Sequence, residues 1–446
     1  MSASRGRACA RAARHALLLA GTLLAGGASS AVAATIPAEF YGVNSGATVV
    51  NNPAARAQAL PAIAAGGLSV VRVDASWGAI EPNAPVAGVH TYKWPGPDSW
   101  VADLAGNGLR WYPMLGYSAG WASSLLNNPF APPANDSNFT AFAAAFAARY
   151  GAGGSFWAAH PELPSRPITT YGIWNEPSNP TFWRGADASP ARYMALYLAA
   201  RNAIHEVDPA ARVATAGLLD SGIVDGAAYL RAMLDSAPGA RDQVDALGWH
   251  PYVGDVAQVL ASVGRARTVL DYYGLANVPI EVSETGVQGL TTTQRAQWLH
   301  DLATKLPNAG LNVSRLMPYV WTGDPMWQIT APDGTPGEIG QAYFAGIRDA
   351  AAYTPPRPAW ASPEPAVTSA PPAKQPAAKK VCKTTKARTT KAGRKIKAKK
   401  TCVTQVSKKA AARARAKARA RAKARAAKTR AAKTRAAKLR GARTRA

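Results

Sequence analysis

The 446-residue chain has almost no cysteine. Its three cysteines are Cys9, near the start, and Cys382 and Cys402, near the end. The long stretch between has no thiol to staple it and none to act as a nucleophile, so it must hold together by packing alone. Two cysteines with no histidine nearby also make a poor zinc site. In an oxidising compartment Cys382 and Cys402 would close a loop or cross-link two chains, and the sequence leaves both open.

Negative charge is missing from the end of the chain. Residues 374–446 hold 29 Lys and Arg and no Asp or Glu, and no aromatic follows Trp360. Residues 34–373 carry 19 basic and 26 acidic groups, a net −7. The formal +26 of the whole therefore belongs to the tail, and a mildly acidic body needs a separate explanation. The tail is expected to be disordered or partly helical. Like charges keep it extended when free, and its alanines permit a helix once an anion is bound. The repeats AAKTR, AAKTR and AAKLR over residues 426–440 make no apolar stripe, because five residues advance about 140° round a helix. The expected partner is an anionic polymer, either cell-wall polymer or nucleic acid, bound by charge and sensitive to salt. Without aromatics it cannot stack on bases. A solvated tail without a partner is the plainer alternative.

Long apolar runs are also scarce. The run Ala16–Leu24 follows Arg5, Arg7, Arg11 and Arg14 and precedes Ala31-Val32-Ala33, the order of an export signal with its cleavage site. It is too short to span a bilayer comfortably. The expected location is outside the cell: secreted, with cell-wall association through the tail as an option. The expected layout is a signal peptide (1–33), a folded domain (34–353), a Pro-rich linker (354–380) and a basic low-complexity tail (381–446).

What the middle does have is alternation. Strand-like runs fall at Phe40–Asn44, Ser69–Asp74, Arg110–Leu115, Thr169–Trp174, Arg212–Ala216, Ala246–Trp249, Pro279–Ser283 and Arg315–Val320. Ala- and Leu-rich helical stretches lie between them, such as Asn138–Tyr150, Pro190–Val207, Val256–Tyr273 and Thr292–Leu306. Eight such units predict an α/β fold, the (β/α)8 TIM barrel. A doubly wound open sheet is the rival, but Phe40–Gly46 lacks the glycine spacing of a phosphate loop. A barrel demands that functional residues stand at the carboxyl ends of its strands. Asn44, Arg72, Asp74, Tyr117, Asn175, Glu176, His250, Tyr252, Glu284 and Trp321 all fall there.

Two carboxylates dominate. Glu176 sits in Gly172-Ile173-Trp174-Asn175-Glu176-Pro177. The second stretch, Val278–Gly286, offers Glu281 and Glu284, and strand alternation turns them to opposite faces. Glu284 is nearer the strand end and the turn at Gly286, so Glu284 is favoured over Glu281.

Trp174-Asn175-Glu176-Pro177 with Ser283-Glu284-Thr285-Gly286 resembles the clan A glycoside hydrolases, most closely families 39 and 5. Val71-Arg72-Val73-Asp74, Trp249-His250-Pro251-Tyr252 and Trp321 resemble that clan's second-, sixth- and eighth-strand segments. The resemblance covers roughly Phe40 to Ala350. It implies a retaining O-glycosidase acting on a polysaccharide or oligosaccharide, with Glu176 as acid/base and Glu284 as nucleophile. It further implies that Arg72 and Tyr252 hold Glu284, Asn175 holds the sugar 2-hydroxyl, His250 binds a neighbouring hydroxyl or tunes Glu176, and Trp321 faces the sugar ring. Trp77, Trp121, Trp183 and Trp327 are further candidates for sugar contact, and Asn44 also fits a turn cap. No metal and no cofactor is expected. The alternatives are a catalytically inactive glycan-binding barrel anchored by the tail, and a polyanion-binding protein whose barrel is incidental.

Overall fold

The computed structural model describes Ile36–Tyr353 and four short strands between Lys380 and Thr404. The chain divides into two units between Arg357 and Pro358. The first unit contains nine strand segments: β1 (Gly42–Asn44), β2 (Val70–Ser76), β3 (Arg110–Gly116), β4 (Thr170–Ile173), β5 (Arg212–Thr215), β6 (Leu218–Ser221), β7 (Leu247–Tyr252), β8 (Ile280–Val282) and β9 (Val313–Leu316).

All pair in parallel, in the orders β1-β2-β3-β4-β5 and β6-β7-β8-β9. Two bridges close the ring. Tyr41 pairs with Leu316, joining the first position to the last, and Ala214 pairs with Ala246, joining β5 to β7. The segments β5 and β6 together fill the fifth position, so the nine segments make the eight positions of a TIM barrel. Helices Asp136–Tyr150, Pro190–Val207, Val256–Tyr272 and Thr292–Lys305 match the expected stretches to within two residues. Their starts are written locally. Ser189 accepts a bond from the Arg192 N–H ahead of Pro190, and Asp255 with Gln258 and Thr291 with Gln294 form capping boxes.

Strand alternation sorts the core into two layers. On β2, Val71 and Ala75 join the large cluster under the helices, with Trp77, Trp100, Phe146 and Trp249. Val70 points the other way and packs inside the barrel against Tyr112, Ala214, Ala246 and Met317. Arg72 and Asp74 follow Val70 on that inward face, one and two steps nearer the mouth. Burying each large side chain stabilises the fold by about 1.5–3 kcal/mol.

Lower in the barrel lies a charged layer. Tyr112 Oη donates to Glu281 Oε2 at 2.7 Å, and Arg315 lies over the Tyr112 ring and 3.8 Å from Glu281 Oε1. Glu281 therefore faces the barrel interior as Glu284 does, which corrects the expectation that the two face opposite ways. The reason is the brevity of β8: regular pairing ends at Val282, so alternation does not carry through to Glu284.

In the second unit β10 (Lys380–Thr384) runs antiparallel to β13 (Lys400–Thr404), with Cys382 the register partner of Cys402. Between them β11 (Arg388–Thr389) pairs with β12 (Lys395–Ile396). This part of the tail, where disorder or partial helix was expected, is described as strand. The expected signal peptide 1–33, all but the last residue of the expected linker 354–380, and the AAKTR repeats lie outside the described residues. Among the described residues no helix is long and apolar enough to cross a membrane.

Candidate active site

The carboxyl ends of the strands surround a cleft of about 950 Å³. Its lining includes Asn44, Arg72, Asp74, Tyr117, Asn175, Glu176, Tyr252 and Glu284, with Phe182, Tyr319 and Trp327 as further aromatic walls.

Glu176 is delivered by a bend after β4. Trp174 (φ 69°) and Glu176 (φ 43°) both take left-handed backbone, uncommon outside glycine and costing about 1–3 kcal/mol each. Burial of the Trp174 ring, its Nε1–H bond to Phe182 O at 2.7 Å and a turn from Glu176 O to Asn179 N at 2.8 Å hold that shape. Pro177 occupies the second position of this turn, where its fixed φ suits. The Glu176 carboxylate accepts Asn179 Nδ2–H at 2.9 Å and lies 2.9 Å from His250 Nδ1.

Glu284 stands just beyond β8 and is held from two sides. Arg72 Nη1 donates to Oε1 at 2.5 Å, and Tyr252 Oη donates to Oε2 at 2.8 Å. Burial pushes the Glu284 carboxyl upward. The His250 and Arg72 charges and the bonds from Tyr252 and Arg72 together outweigh that and hold it below the usual carboxylate range. Burial would lower Arg72, but Glu284 and Asp74 keep it firmly protonated. Burial and the nearby Glu284 and Glu176 hold the Tyr252 phenol well above its ordinary value, so it remains a donor.

Arg72 is the hub of the site. Besides Glu284 it donates to Asn44 Oδ1 at 2.6 Å and to Asn175 Oδ1 at 2.9 Å. Asn44 is anchored in turn, donating from Nδ2 to Ser283 O and Met317 O, so it braces three strand ends rather than capping a turn. Asn175 gives its oxygen to Arg72 and an amide N–H to the Tyr117 hydroxyl, so the second amide N–H is the one left to meet a ligand.

One oxygen each from Glu176 and Glu284 and a nitrogen of His250 lie within 4.8 Å of one another. Three such donors have the spacing of a cation site. Glu284, however, already has the Arg72 guanidinium against it, so positive charge is supplied by the protein.

Two expected substrate contacts are placed elsewhere. His250 is fully buried and lies between Glu176 and Ser283 Oγ (3.0 Å), so of its two expected roles only the link to Glu176 has the geometry. Gly217 makes room for it: a Cβ at 217 would meet His250 Nε2 at 1.8 Å, and the fifth barrel strand breaks at that point. Trp321 is 0% exposed and stacks on Phe344, with its backbone N–H on Asn44 O at 2.7 Å. Of the other tryptophans, Trp327 lines the cleft against the bare backbone of Gly286 and packs edge-on to Tyr252. Trp77 and Trp183 are core, and Trp121 is partly buried with its Nε1–H on Glu81 O. Asn179, Tyr319 and Ser283 were not picked out from sequence. Asn179 lies three residues after Glu176 and Ser283 is next to Glu284, the only signals available for them.

No family model matches the chain, and no curated protein matches it. Solved structures are similar in fold. A GH39 β-xylosidase from Caulobacter crescentus is 19% identical over 69% of this chain and 70% of that one, with a TM-score of 0.54. The GH39 enzyme from Xanthomonas axonopodis pv. citri is 17% identical over 69% and 65%, with a TM-score of 0.51. A glucosidase from Croceicoccus marinus is 16% identical over 64% and 62%, with a TM-score of 0.50. The chain spans less than two thirds of the last two. The resemblance to clan A glycosidases read from the motifs is thus matched by the barrel, and at these identities the likeness is one of fold.

Proposed function

We propose that this chain is a secreted retaining O-glycosidase that hydrolyses a polysaccharide or oligosaccharide by double displacement, with its basic tail binding an anionic polymer. The observation that carries the reading is the approach of the Glu176 and Glu284 carboxyl oxygens to within 4.8 Å at the mouth of the barrel. Retaining enzymes hold their carboxyls about 5–5.5 Å apart, and inverting ones about 6.5–9.5 Å.

In the first step a Glu284 oxygen attacks the anomeric carbon. The glycosidic C–O bond breaks, and its electron pair takes the proton from Glu176. In the second step water attacks the same carbon, Glu176 accepts its proton, and the Glu284 ester bond breaks. Two inversions give net retention. Arg72 and Tyr252 keep Glu284 ionised and oriented for attack. His250 and Asn179 fix the Glu176 carboxyl. Asn175 offers its amide N–H to the sugar 2-hydroxyl, a contact that strengthens as the oxocarbenium ion forms. Trp327, Tyr319, Phe182 and Tyr117 offer apolar faces to the rings.

The test is hydrolysis of activated aryl glycosides, with the product anomer followed by NMR. Glu176→Gln and Glu284→Gln should each remove turnover while the fold survives. Release of the inverted anomer, or strong activity in both variants, would overturn the reading.

A further inference from the structure

Asp74 makes no hydrogen bond in the bracing just described, although its charge helps to keep Arg72 protonated. It follows Arg72 by two residues on β2 and so shares its inward face. Arg72 is buried and committed to Glu284, Asn44 and Asn175. The Asp74 side chain is instead exposed at the cleft wall. Among the described residues its carboxylate has no hydrogen-bond donor and no salt-bridge partner. The enclosing walls push its pKa up to about 6; Arg72 and His250 pull it down, and Glu284 adds to the rise. Water supplies the donors in the free protein, and a sugar that displaces this water from the cleft must supply them in its place.

The charge of the cleft points the same way. Its lining carries three carboxylates, Asp74, Glu176 and Glu284, against one cation, Arg72, which is already spent. A uronic acid placed here would bring a further carboxylate to a wall with no free guanidinium, ammonium or imidazolium to receive it. A sugar with hydroxyl or amino groups brings the donors that Asp74 lacks.

We propose that Asp74 is a specificity-determining residue, which accepts hydrogen bonds from hydroxyl or free amino groups on the bound sugar and turns uronic acids away. This rests on the glycosidase reading for its substrate but not for its binding test. One consequence is a division of labour. The anionic polymer suited to the tail is not the polymer suited to the cleft.

The test is titration calorimetry of the full-length protein with neutral, 2-amino-2-deoxy and uronic oligosaccharides of equal length, alongside hydrolysis of the same three classes. Wild type should bind at least one of the first two classes and bind uronic oligosaccharides at least tenfold more weakly. Asp74→Asn, which keeps the shape, should weaken the preferred class at least tenfold and leave Tm unchanged. A greater loss on the amino sugar would identify an amine as the donor; an equal loss would identify hydroxyls. Asp74-dependent binding without cleavage would uphold this inference and sink the glycosidase reading. Uronic oligosaccharides bound or cut as well as neutral ones would overturn it, as would an Asp74→Asn variant with unchanged affinity, or no binding by any class.

Discussion

The His250 imidazole lies directly over Gly217, so close that a single added carbon at 217 would fall 1.8 Å from Nε2. The glycine is what allows this ring to sit between Glu176 and Ser283. Gly217→Ala should therefore act as a remote His250 variant. Overpacking of this kind costs about 1–3 kcal/mol of stability. Turnover should fall along with that loss, because the ring must leave Glu176. Kinetics and thermal unfolding on the same preparation check this. An alanine variant with unaltered kcat would remove His250 from the acid/base arrangement.

Arg72 and Glu284 give a pH prediction. Glu284 is held below the ordinary carboxylate range, so its ionised form is available into acid solution. Its contribution to stability is full above the unfolded carboxyl value and is lost as pH falls through the folded one. Arg72→Met removes both a charge and a hydrogen bond from the carboxylate. Its pKa should rise, and the acid limb of the kcat/KM profile should move up by about 1–3 pH units. A limb that stays in place would mean that another group sets it.

Tyr252→Phe removes a single donor from Glu284 and leaves the ring packed against Trp327. A hydrogen bond to a charged group contributes about 1.5–3 kcal/mol. The expected result is a fall in kcat/KM of about ten- to hundredfold, with the acid limb moved the same way as for Arg72→Met but by less. Pre-steady-state kinetics with a good leaving group should place the loss in glycosylation. A loss confined to KM would assign Tyr252 to sugar binding instead.

Glu281 separates chemistry from architecture. It lies beneath the cleft with Tyr112 and Arg315. Glu281→Gln removes one of two carboxylates beside Arg315, which keeps Glu39 at 3.6 Å, and should cost about 1–3 kcal/mol of stability. Below the melting temperature, turnover should be close to wild type. Denaturant unfolding and kinetics distinguish this from the alternative in which Glu281 is the nucleophile, where turnover would vanish.

The tail gives a prediction about covalent state. Cys382 and Cys402 are direct partners in an antiparallel register, a position in which Cα atoms approach to about 4.5–5.5 Å and a disulfide fits. Protein purified from an oxidising compartment should resist alkylation and remain monomeric on non-reducing gels. Two free thiols, or a reducible dimer, would count against an intrachain bridge.

Much of the barrel was legible in the sequence because its code is local. The Val-rich run at residues 70–73, the capping residues Ser189, Asp255 and Thr291, and the prolines at helix starts each specify their element without distant help. Glu176 and Glu284 were legible because strand ends define the mouth. What could not be read was set by three-dimensional crowding. Whether Trp321 faces a sugar or Phe344 depends on packing between residues 23 positions apart. The burial of His250 depends on a glycine 33 positions earlier in the chain. Asp74 reads in the sequence as one strand-end polar residue among several, and only the fold shows that it lacks a hydrogen-bond partner among the described residues. The split of the fifth strand into β5 and β6 left no mark in the sequence beyond Gly217 itself.

The threefold grip of Arg72 also bears on inhibition. Asn44, Asn175 and Glu284 are already fixed before any sugar arrives, so the seat for a flattened, positively charged ring stands ready in the resting protein. A compact iminosugar should therefore dock without rearranging the walls, and its residence time would report how well that rigid frame is kept.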